Sequence, residues 1–181
     1  MLTLLLAALS APPAVGDTVS DFTLQSVAGE EVTLSDVREA GPVVLVVLRG
    51  FPGYQCPLCS RQFGQFVAKA DQFAERDASL IFVYPADASL GADGTRQKAK
   101  EFLRNATLPE NVHVVLDPGY SFTDAYDLRW DAPRETAFPS TFVIDSSGVV
   151  RNATVSKSHG GRTSVAEILA AVADVPQPAA N

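Results

Sequence analysis

The chain has 181 residues, 46% of them hydrophobic and 19% charged, which suits one globular domain with a core of its own. Its formal net charge is −7, from 21 acidic and 14 basic side chains, and no run of basic residues occurs. This charge balance excludes the basic surface that a nucleic-acid partner requires, so we expect no such partner.

Residues 1–16 begin with an apolar run from Leu2 to Leu9, followed by small residues and prolines. The run is too short to span a bilayer and resembles the apolar region of a secretory signal, although a packed N-terminal helix is an alternative. The signal hypothesis predicts export to the periplasm or the extracellular space, with the cytoplasm as the alternative. In an oxidising compartment a cysteine pair readily forms a disulfide.

Residues 17–174 alternate between strand and helix patterns, and we expect residues 175–181 to form a flexible tail. Two short alternating stretches, 22–25 and 31–34, flank Gly29 and predict a small β-hairpin. The continuous aliphatic run in residues 42–50 follows. Such a run is typical of a strand buried on both faces of a sheet, so it predicts a central strand.

The second half of the domain continues the alternation. Apolar residues at spacings of three and four from Phe63 to Ala74 predict a helix that ends near Arg76. Strands are predicted at 79–86, 112–118 and 140–155, the last as a hairpin turning at Ser147 and Gly148, and helices at 95–106 and 164–174. Ser164 and Glu167 match a capping box at the start of the last helix. This order predicts an α/β fold with a mixed sheet and helices on both faces.

The chain contains two cysteines, Cys56 and Cys59, in the segment PGYQCPLC. Pro57 suits the first position of a helix, which puts Cys56 near the N-cap and Cys59 in the first turn. Unpaired N–H groups and the positive end of the helix dipole lower a thiol pKa there, so we expect Cys59 to ionise near neutral pH. The C-x-x-C spacing places the second thiol within reach to form a disulfide.

Two other uses of the cysteine pair are less consistent with the sequence. A zinc site needs four ligands, and only His113 and His159 are left to join the cysteines, so we predict no metal. A purely structural disulfide that closes so short a loop stabilises the fold little. We also predict no bound cofactor.

The order of hairpin, buried strand, P-x-x-x-C-x-x-C motif and a later FPSTFVID segment resembles the thioredoxin superfamily over about residues 16–172. Within it the chain is similar to the alkyl hydroperoxide reductase/thiol-specific antioxidant group, which includes the peroxiredoxins. The resemblance implies a thioredoxin-like three-layer sandwich with an N-terminal hairpin. It also implies that Cys59 is the peroxidatic cysteine and that Cys56, which replaces the family's Thr or Ser, resolves it.

A second departure from the peroxiredoxin pattern is Pro139, which stands where that group usually has an arginine. Pro139 resembles the cis-proline of thioredoxins, which implies a cis Phe138–Pro139 bond and a loop that offers backbone groups to a bound peptide or thiol. Arg49, Arg61 and Arg134 are candidates to replace the missing charge. The resemblance places substrate binding at a set of residues around the cysteines: Pro52, Tyr54, Phe138 and Pro139.

The remaining candidates have ordinary structural interpretations beside the functional ones. Tyr54 either packs over the thiol or donates its hydroxyl to a substrate, and the structural alternative is that it fills the rim of the core. His159 stands beside two glycines and Arg162 in a loop that either lies near a site or is an exposed polar loop, which is the commoner case. We expect His113 in a strand at a sheet edge, and we assign no role to Trp130.

The leading hypothesis is a thiol-dependent oxidoreductase that reduces hydroperoxides and has antioxidant activity. Cys59 attacks the peroxide, Cys56 closes a disulfide, and an external dithiol such as a thioredoxin-like protein reduces it. The alternative is a thioredoxin-like thiol-disulfide oxidoreductase acting on protein disulfides, in which Cys56 attacks and Cys59 resolves. A redox-inert binding module with a permanent disulfide is the third possibility.

Overall fold

A five-stranded mixed sheet forms the centre of the molecule in the computed structural model, which describes residues 11–104 and 106–176. The strand order is β5-β4-β3-β6-β7, with β3, β4 and β5 parallel and β6 and β7 antiparallel to their neighbours. Their bounds are Val43–Val47 for β3, Ser79–Ala86 for β4, Val112–Pro118 for β5, Ser140–Ile144 for β6 and Val150–Val155 for β7. The predicted central strand is confirmed, because β3 lies in the middle and every residue of it is buried.

The N-terminal hairpin is also confirmed. Strands β1 (Thr23–Gln25) and β2 (Glu31–Thr33) pair antiparallel and form a separate two-stranded sheet. The N–H of Val27 donates to the carbonyl of Val114 at 2.9 Å, so the hairpin is tied to β5 at the edge of the main sheet. The apolar run Leu2 to Leu9 and residues 177–181 of the tail lie outside the described residues, and the export hypothesis stays a prediction.

Six α-helices surround the sheets in the described residues. A 3₁₀ turn at Ala88–Leu90 leads directly into the fourth of them. Their bounds are Leu34–Val37 for α1, Pro57–Val67 for α2, Ala70–Ala74 for α3, Gly91–Leu103 for α4, Ser121–Ala125 for α5 and Val165–Ala173 for α6. The capping box predicted for the last helix is present, with reciprocal bonds between Ser164 and Glu167. No helix among residues 11–104 and 106–176 is long and apolar enough to cross a membrane.

The single helix predicted to end near Arg76 was wrong, since the chain breaks it into α2 and α3 at Ala68 and Lys69. The N–H of Lys69 donates to the carbonyl of Phe66, a tighter bond than that of an α-helix. Phe66 and Phe73 stack across the break with ring centroids 5.8 Å apart. Both rings therefore face one core, which keeps the apolar spacing regular although the helix is interrupted.

Two apolar layers cover the two faces of the main sheet. Alternate residues of β3 separate into them: Val44 and Val46 enter the layer under α2, α3, α4 and α6, whereas Val43, Leu45 and Val47 enter the layer under α1 and α5. Both cysteines belong to the first layer. The thioredoxin-like three-layer sandwich implied by the resemblance is therefore confirmed.

Candidate active site

The loop between β3 and α2 delivers the cysteines and is held against β4. The N–H of Phe51 donates to the carbonyl of Pro85 at 3.0 Å. Gly50 has φ +61°, and a Cβ at this position would overlap the carbonyl oxygen of Pro85. Only glycine combines this close approach with a left-handed backbone, so Gly50 fixes the path of the chain towards α2.

The cysteines lie where the sequence places them. Cys56 is the N-cap of α2, Pro57 occupies the first helical position and Cys59 lies in the first turn. Both are free cysteines and both are buried, with 3% of Cys56 and 1% of Cys59 exposed. Both sulfurs are therefore almost completely shielded from solvent.

The charge beside the sulfurs comes from Arg162, in the loop before α6. Its Nη2 lies 3.3 Å from Sγ of Cys59 and 4.0 Å from Sγ of Cys56. Its Nη1 donates to Oε1 of the buried Gln62 at 2.6 Å, and its Nε donates to the carbonyl of His159 at 3.2 Å. The guanidinium is thus held over both sulfurs by contacts on α2 and in its own loop.

The two thiols hold one proton between them near neutral pH. The pKa of Cys56 is lowered to about 5, first because the thiol of Cys59 donates to its sulfur, and further by the N–H groups of Cys59 and Leu58 and the charge of Arg162. The same hydrogen bond, together with burial, raises the pKa of Cys59 well above its usual range. Cys56 makes no side-chain capping hydrogen bond at the start of α2.

This charge distribution differs from the expectation that Cys59 carries the lowered pKa. Arg162 lies closer to Cys59 than to Cys56, but the donor thiol of Cys59 contributes more than the arginine and keeps the negative charge on the acceptor sulfur. Interacting groups titrate as a pair, and the hydrogen bond between these two thiols favours the negative charge on Cys56. The helix-end N–H groups of Cys59 and Leu58 add a smaller stabilisation of the Cys56 thiolate.

A second charged network lies beside the cysteine loop. Arg49 is only 3% exposed, and its Nε donates to Oε2 of Glu135 at 2.5 Å. Its other nitrogens donate to the hydroxyl of Tyr54 and to the carbonyl of Arg134. Burial raises the pKa of Glu135, but the hydrogen bonds from Arg49 and His159 outweigh this and lower it overall. The network ties the loop before α2 to the loop before β6.

A neutral network fixes the residue in front of the first cysteine. The buried Tyr84 donates its hydroxyl to Oε1 of Gln55 at 2.8 Å, and Nε2 of Gln55 donates to the carbonyl of Lys98 at 2.8 Å. Burial raises the pKa of Tyr84, so its phenol stays protonated and keeps donating. These bonds join Gln55 to β4 and α4 and thereby position Cys56.

The expected cis-proline is not present, because no cis peptide bond occurs among residues 11–104 and 106–176 and Phe138–Pro139 is trans. The carbonyl of Pro139 accepts from the N–H of Ser156, and the N–H of Phe138 donates to the carbonyl of Leu128. The carbonyl of Phe138 accepts from the hydroxyl of Ser140. These backbone groups are used within the fold, so the predicted strand-like contact to a peptide lacks free partners here.

The other predicted site residues surround the network of Arg49 and Glu135. Tyr54 is 45% exposed and packs against the guanidinium of Arg49, with Cζ 5.2 Å from its ring centroid, and not in the rim of the core. Pro52 lines a cavity of about 420 Å³ together with Glu135. Phe138 stacks on Trp130 with centroids 4.9 Å apart.

Of the three arginines proposed to replace the missing family charge, none contacts the sulfurs with its guanidinium. Arg49 pairs with Glu135 and contributes only its backbone N–H near Cys59. Arg61 is exposed on α2, and Arg134 is exposed with φ +63° and offers its carbonyl to Arg49. His113 lies in the edge strand β5, as predicted.

Arg162 and Glu135 were not predicted as site residues, and no role was predicted for Trp130. The ring of Trp130 lies 5.1 Å from that of His159, whose Nε2 lies 3.0 Å from Oε1 of Glu135. One signal pointed this way: His159 and Arg162 flank two glycines in a loop just before a helix. No local pattern shows that this loop folds back over a motif about a hundred residues earlier.

The sequence is similar to a known protein family and to two characterised relatives. The sequence pattern of the Redoxin family matches residues 14–171. Peroxisomal membrane associated protein 20 of Schizosaccharomyces pombe is 32% identical over 119 residues, which cover 66% of this chain and 70% of that protein. Peroxiredoxin Bcp of Bacillus subtilis is 26% identical over 140 residues, 74% of this chain and 80% of that protein.

A solved structure supports the same fold. Peroxidoxin BcpB from Mycobacterium tuberculosis superposes with a TM-score of 0.66 at 22% identity, covering 91% of this chain and 99% of that one. The Redoxin match extends over nearly the whole described region, and the cysteine pair lies at the start of α2. Together these two findings assign the chain to a family. The chain belongs to the redoxin family, as a peroxiredoxin-like, thiol-dependent peroxidase of the thioredoxin superfamily.

Proposed function

We propose that the protein reduces hydroperoxides with Cys56 as the attacking thiolate and Cys59 as the resolving thiol. The observation that carries this assignment is the position of Cys56 at the N-cap of α2, where the thiol of Cys59 and the neighbouring backbone N–H groups lower its pKa. The thiolate is the reactive form of cysteine. The opposite assignment, with Cys59 attacking, follows from the family motif and is tested by the same experiment.

The first step oxidises Cys56. Its thiolate attacks the terminal oxygen of the hydroperoxide, an S–O bond forms, the O–O bond breaks, and the remaining oxygen leaves as hydroxide or alkoxide. The guanidinium of Arg162, 4.0 Å from Sγ of Cys56, stabilises the negative charge that develops on the leaving oxygen. The thiol of Cys59 supplies the proton that the leaving group takes up.

The second step closes the disulfide. The thiolate of Cys59 attacks the sulfenic acid on Cys56, an S–S bond forms, and hydroxide leaves and is protonated to water. The two sulfurs lie on the same side of the helix start, because Nη2 of Arg162 is 4.0 Å from Sγ of Cys56 and 3.3 Å from Sγ of Cys59.

An external thiol completes the cycle. We propose a dithiol, such as a thioredoxin-like protein, because one dithiol supplies both electrons in a single encounter and leaves as its own disulfide. The apolar run in residues 2–9 supports the further proposal that the protein is exported. Fractionation of cells that express the full chain tests export, and a purely cytoplasmic protein contradicts it.

The test of the function is peroxide consumption by the wild type and by Cys56→Ser and Cys59→Ser, with dithiothreitol as the reductant. We expect consumption by the wild type and none above background for Cys56→Ser. In a separate reaction with peroxide and without dithiothreitol, we expect a stable sulfenic acid on Cys56 in Cys59→Ser, identified by mass spectrometry after dimedone labelling. A sulfenic acid on Cys59 in the Cys56→Ser variant would contradict the assignment of the nucleophile. Background rates for the wild type would contradict the function itself.

Thiol-disulfide exchange with proteins is the second candidate, and the lowered pKa of the N-cap residue Cys56 is the observation in its favour. Against it stand the trans bond at Pro139 and the internal use of the neighbouring backbone groups. Under this scheme Cys59→Ser accumulates mixed disulfides between Cys56 and protein substrates. A variant that accumulates sulfenic acid with peroxide but no mixed disulfides with an oxidised protein substrate excludes it.

A further inference from the structure

A cavity with a cationic wall lies directly beside the cysteine pair. Its volume is about 220 Å³, and it is formed by the first turns of α2 and by the loop in front of α6. Three of its lining side chains are basic, namely Arg61, His159 and Arg162, and none of the described residues that line it is acidic. On a chain with a net charge of −7, this wall is a local site of attraction for an anion.

The two arginines of the wall differ in what they contact. Arg61 is exposed and has no hydrogen bond or ion pair with any residue in 11–104 or 106–176, so its charge is available to a ligand. Arg162 belongs to the wall and at the same time contacts both sulfurs. Two carboxylates lie close to the lining residues. That of Glu135 is 3.0 Å from Nε2 of His159 and also accepts from the buried Arg49. That of Glu167 accepts from the N–H and hydroxyl of Ser164 in the capping box. Its charge is therefore engaged with the helix end.

Oxidation of the cysteines changes the charge of this cavity. In the reduced pair the thiolate of Cys56 compensates part of the charge of Arg162. In the disulfide neither sulfur is charged, so the guanidinium loses its negative partner. An anion is therefore attracted more strongly to the oxidised protein than to the reduced one, and the oxidised protein is the form that a reductant has to meet.

We propose that this cavity binds the carboxylate of a small acidic thiol that reduces the disulfide, as an alternative to a dithiol. The proposal rests on the Cys56–Cys59 redox couple described above. The thiolate of the ligand attacks Sγ of Cys56, a mixed disulfide forms, and Cys59 leaves as a thiolate 3.3 Å from Arg162. A second thiolate of the same kind attacks the ligand sulfur, releases Cys56 as a thiolate and leaves as the small-molecule disulfide, while Cys59 takes a proton from water.

The experiment compares an anionic with a neutral thiol on the oxidised protein, prepared with diamide so that no peroxide is needed. Reduction by 3-mercaptopropionate and by 2-mercaptoethanol is followed by quenched mass spectrometry, and each rate is divided by the thiolate concentration. The ratio of the two rates is then compared with the ratio for a small linear disulfide. One favourable charge contact at short range corresponds to a preference of about fivefold for the anionic thiol.

Variants of Arg61 test whether this side chain causes the preference for the anionic thiol. We expect Arg61→Ala to lose most of it and Arg61→Lys, which keeps the charge, to retain it. Lys69→Ala is the matched control, because Lys69 is an exposed cation at the end of α2 outside the cavity, and its removal changes the net charge equally. Succinate, which has carboxylates but no thiol, should slow reduction by 3-mercaptopropionate in the wild type and not in Arg61→Ala.

The outcomes separate this inference from the proposed function. A wild-type ratio equal to that of the linear disulfide overturns the inference, as does an equal loss in Arg61→Ala and Lys69→Ala, and neither result affects peroxide consumption. A preference that depends on Arg61 in a protein that does not consume peroxide supports the cavity and overturns the peroxidase cycle.

Discussion

The guanidinium of Arg162 lies 3.3 Å from Sγ of Cys59, although the two residues are 103 positions apart in the chain. The contact supplies the positive charge that the peroxiredoxin-like pattern lacks at Pro139. It comes from the loop before α6 instead of the segment before β6. The chemistry of the site therefore depends on the packing of that loop against the start of α2.

Removal of the Arg162 charge should slow the attack of Cys56 on peroxide. We expect Arg162→Gln to lower the second-order rate constant with hydrogen peroxide by about tenfold or more, since a charged hydrogen-bond partner contributes about 1.5–3 kcal/mol. Arg162→Lys should recover part of the loss. Stopped-flow measurement of sulfenic acid formation checks this, and equal rates in the wild type and Arg162→Gln would contradict the role given to the arginine.

Alkylation of the reduced protein should report the pKa of Cys56, which is lowered to about 5. The thiolate fraction falls as the pH drops through that value and is nearly complete at pH 7, whereas an ordinary cysteine reacts fully only above about pH 8.5. The rate of iodoacetamide labelling at Cys56 should therefore level off well below neutral pH. A midpoint near that of a free cysteine would contradict the shared-proton arrangement.

The donor thiol of Cys59 can be tested in the same titration. Cys59→Ala removes the donor, so the pKa of Cys56 should rise towards its usual value. Cys59→Ser retains an O–H donor at the same place and should keep the midpoint lower than Cys59→Ala does. Identical midpoints in the two variants would show that the neighbouring hydrogen bond does not set the charge on Cys56.

Removal of the Glu135 charge should destabilise the fold, because Glu135 is the ion-pair partner of the buried Arg49. Glu135→Gln leaves the guanidinium of Arg49, only 3% exposed, without a compensating charge. Breaking such a buried pair lowers the free energy of unfolding by about 3–5 kcal/mol. The control is Glu101→Gln, which breaks the exposed pair with Lys98 and should change it by less than about 1 kcal/mol. Urea denaturation of both variants makes the comparison, and equal effects would contradict it.

Gly50 and Gly53 form a matched pair in the cysteine loop, since both have positive φ angles, of 61° and 100°. A Cβ at Gly50 would overlap the carbonyl of Pro85, whereas nothing lies within 4 Å of one at Gly53. Gly53→Ala should cost only the backbone strain of about 1–3 kcal/mol, and Gly50→Ala should cost more and displace Phe51 from β4. Thermal unfolding of the two variants gives the order, and a smaller loss for Gly50→Ala would be inconsistent with the close approach.

The sequence by itself determined the elements and the position of the cysteines within them. Aliphatic runs identify β3 and β4 because a strand buried on both faces needs apolar residues at every position, and Pro57 identifies the start of α2 because its fixed φ and missing N–H suit the first helical turn. These are local constraints, so they can be read along the chain. The break at Ala68 was missed because Phe66 and Phe73 face the same core on both sides of it.

The tertiary structure decided which groups surround the sulfurs. Arg162, Glu135 and Tyr84 reach the cysteine loop from three separate segments, and the backbone groups around the trans Phe138–Pro139 bond are hydrogen-bonded within the fold. The assignment of the negative charge to Cys56 depends on which thiol donates to the other. Such contacts arise from the folding of distant segments onto one another, and residue spacing carries no record of them.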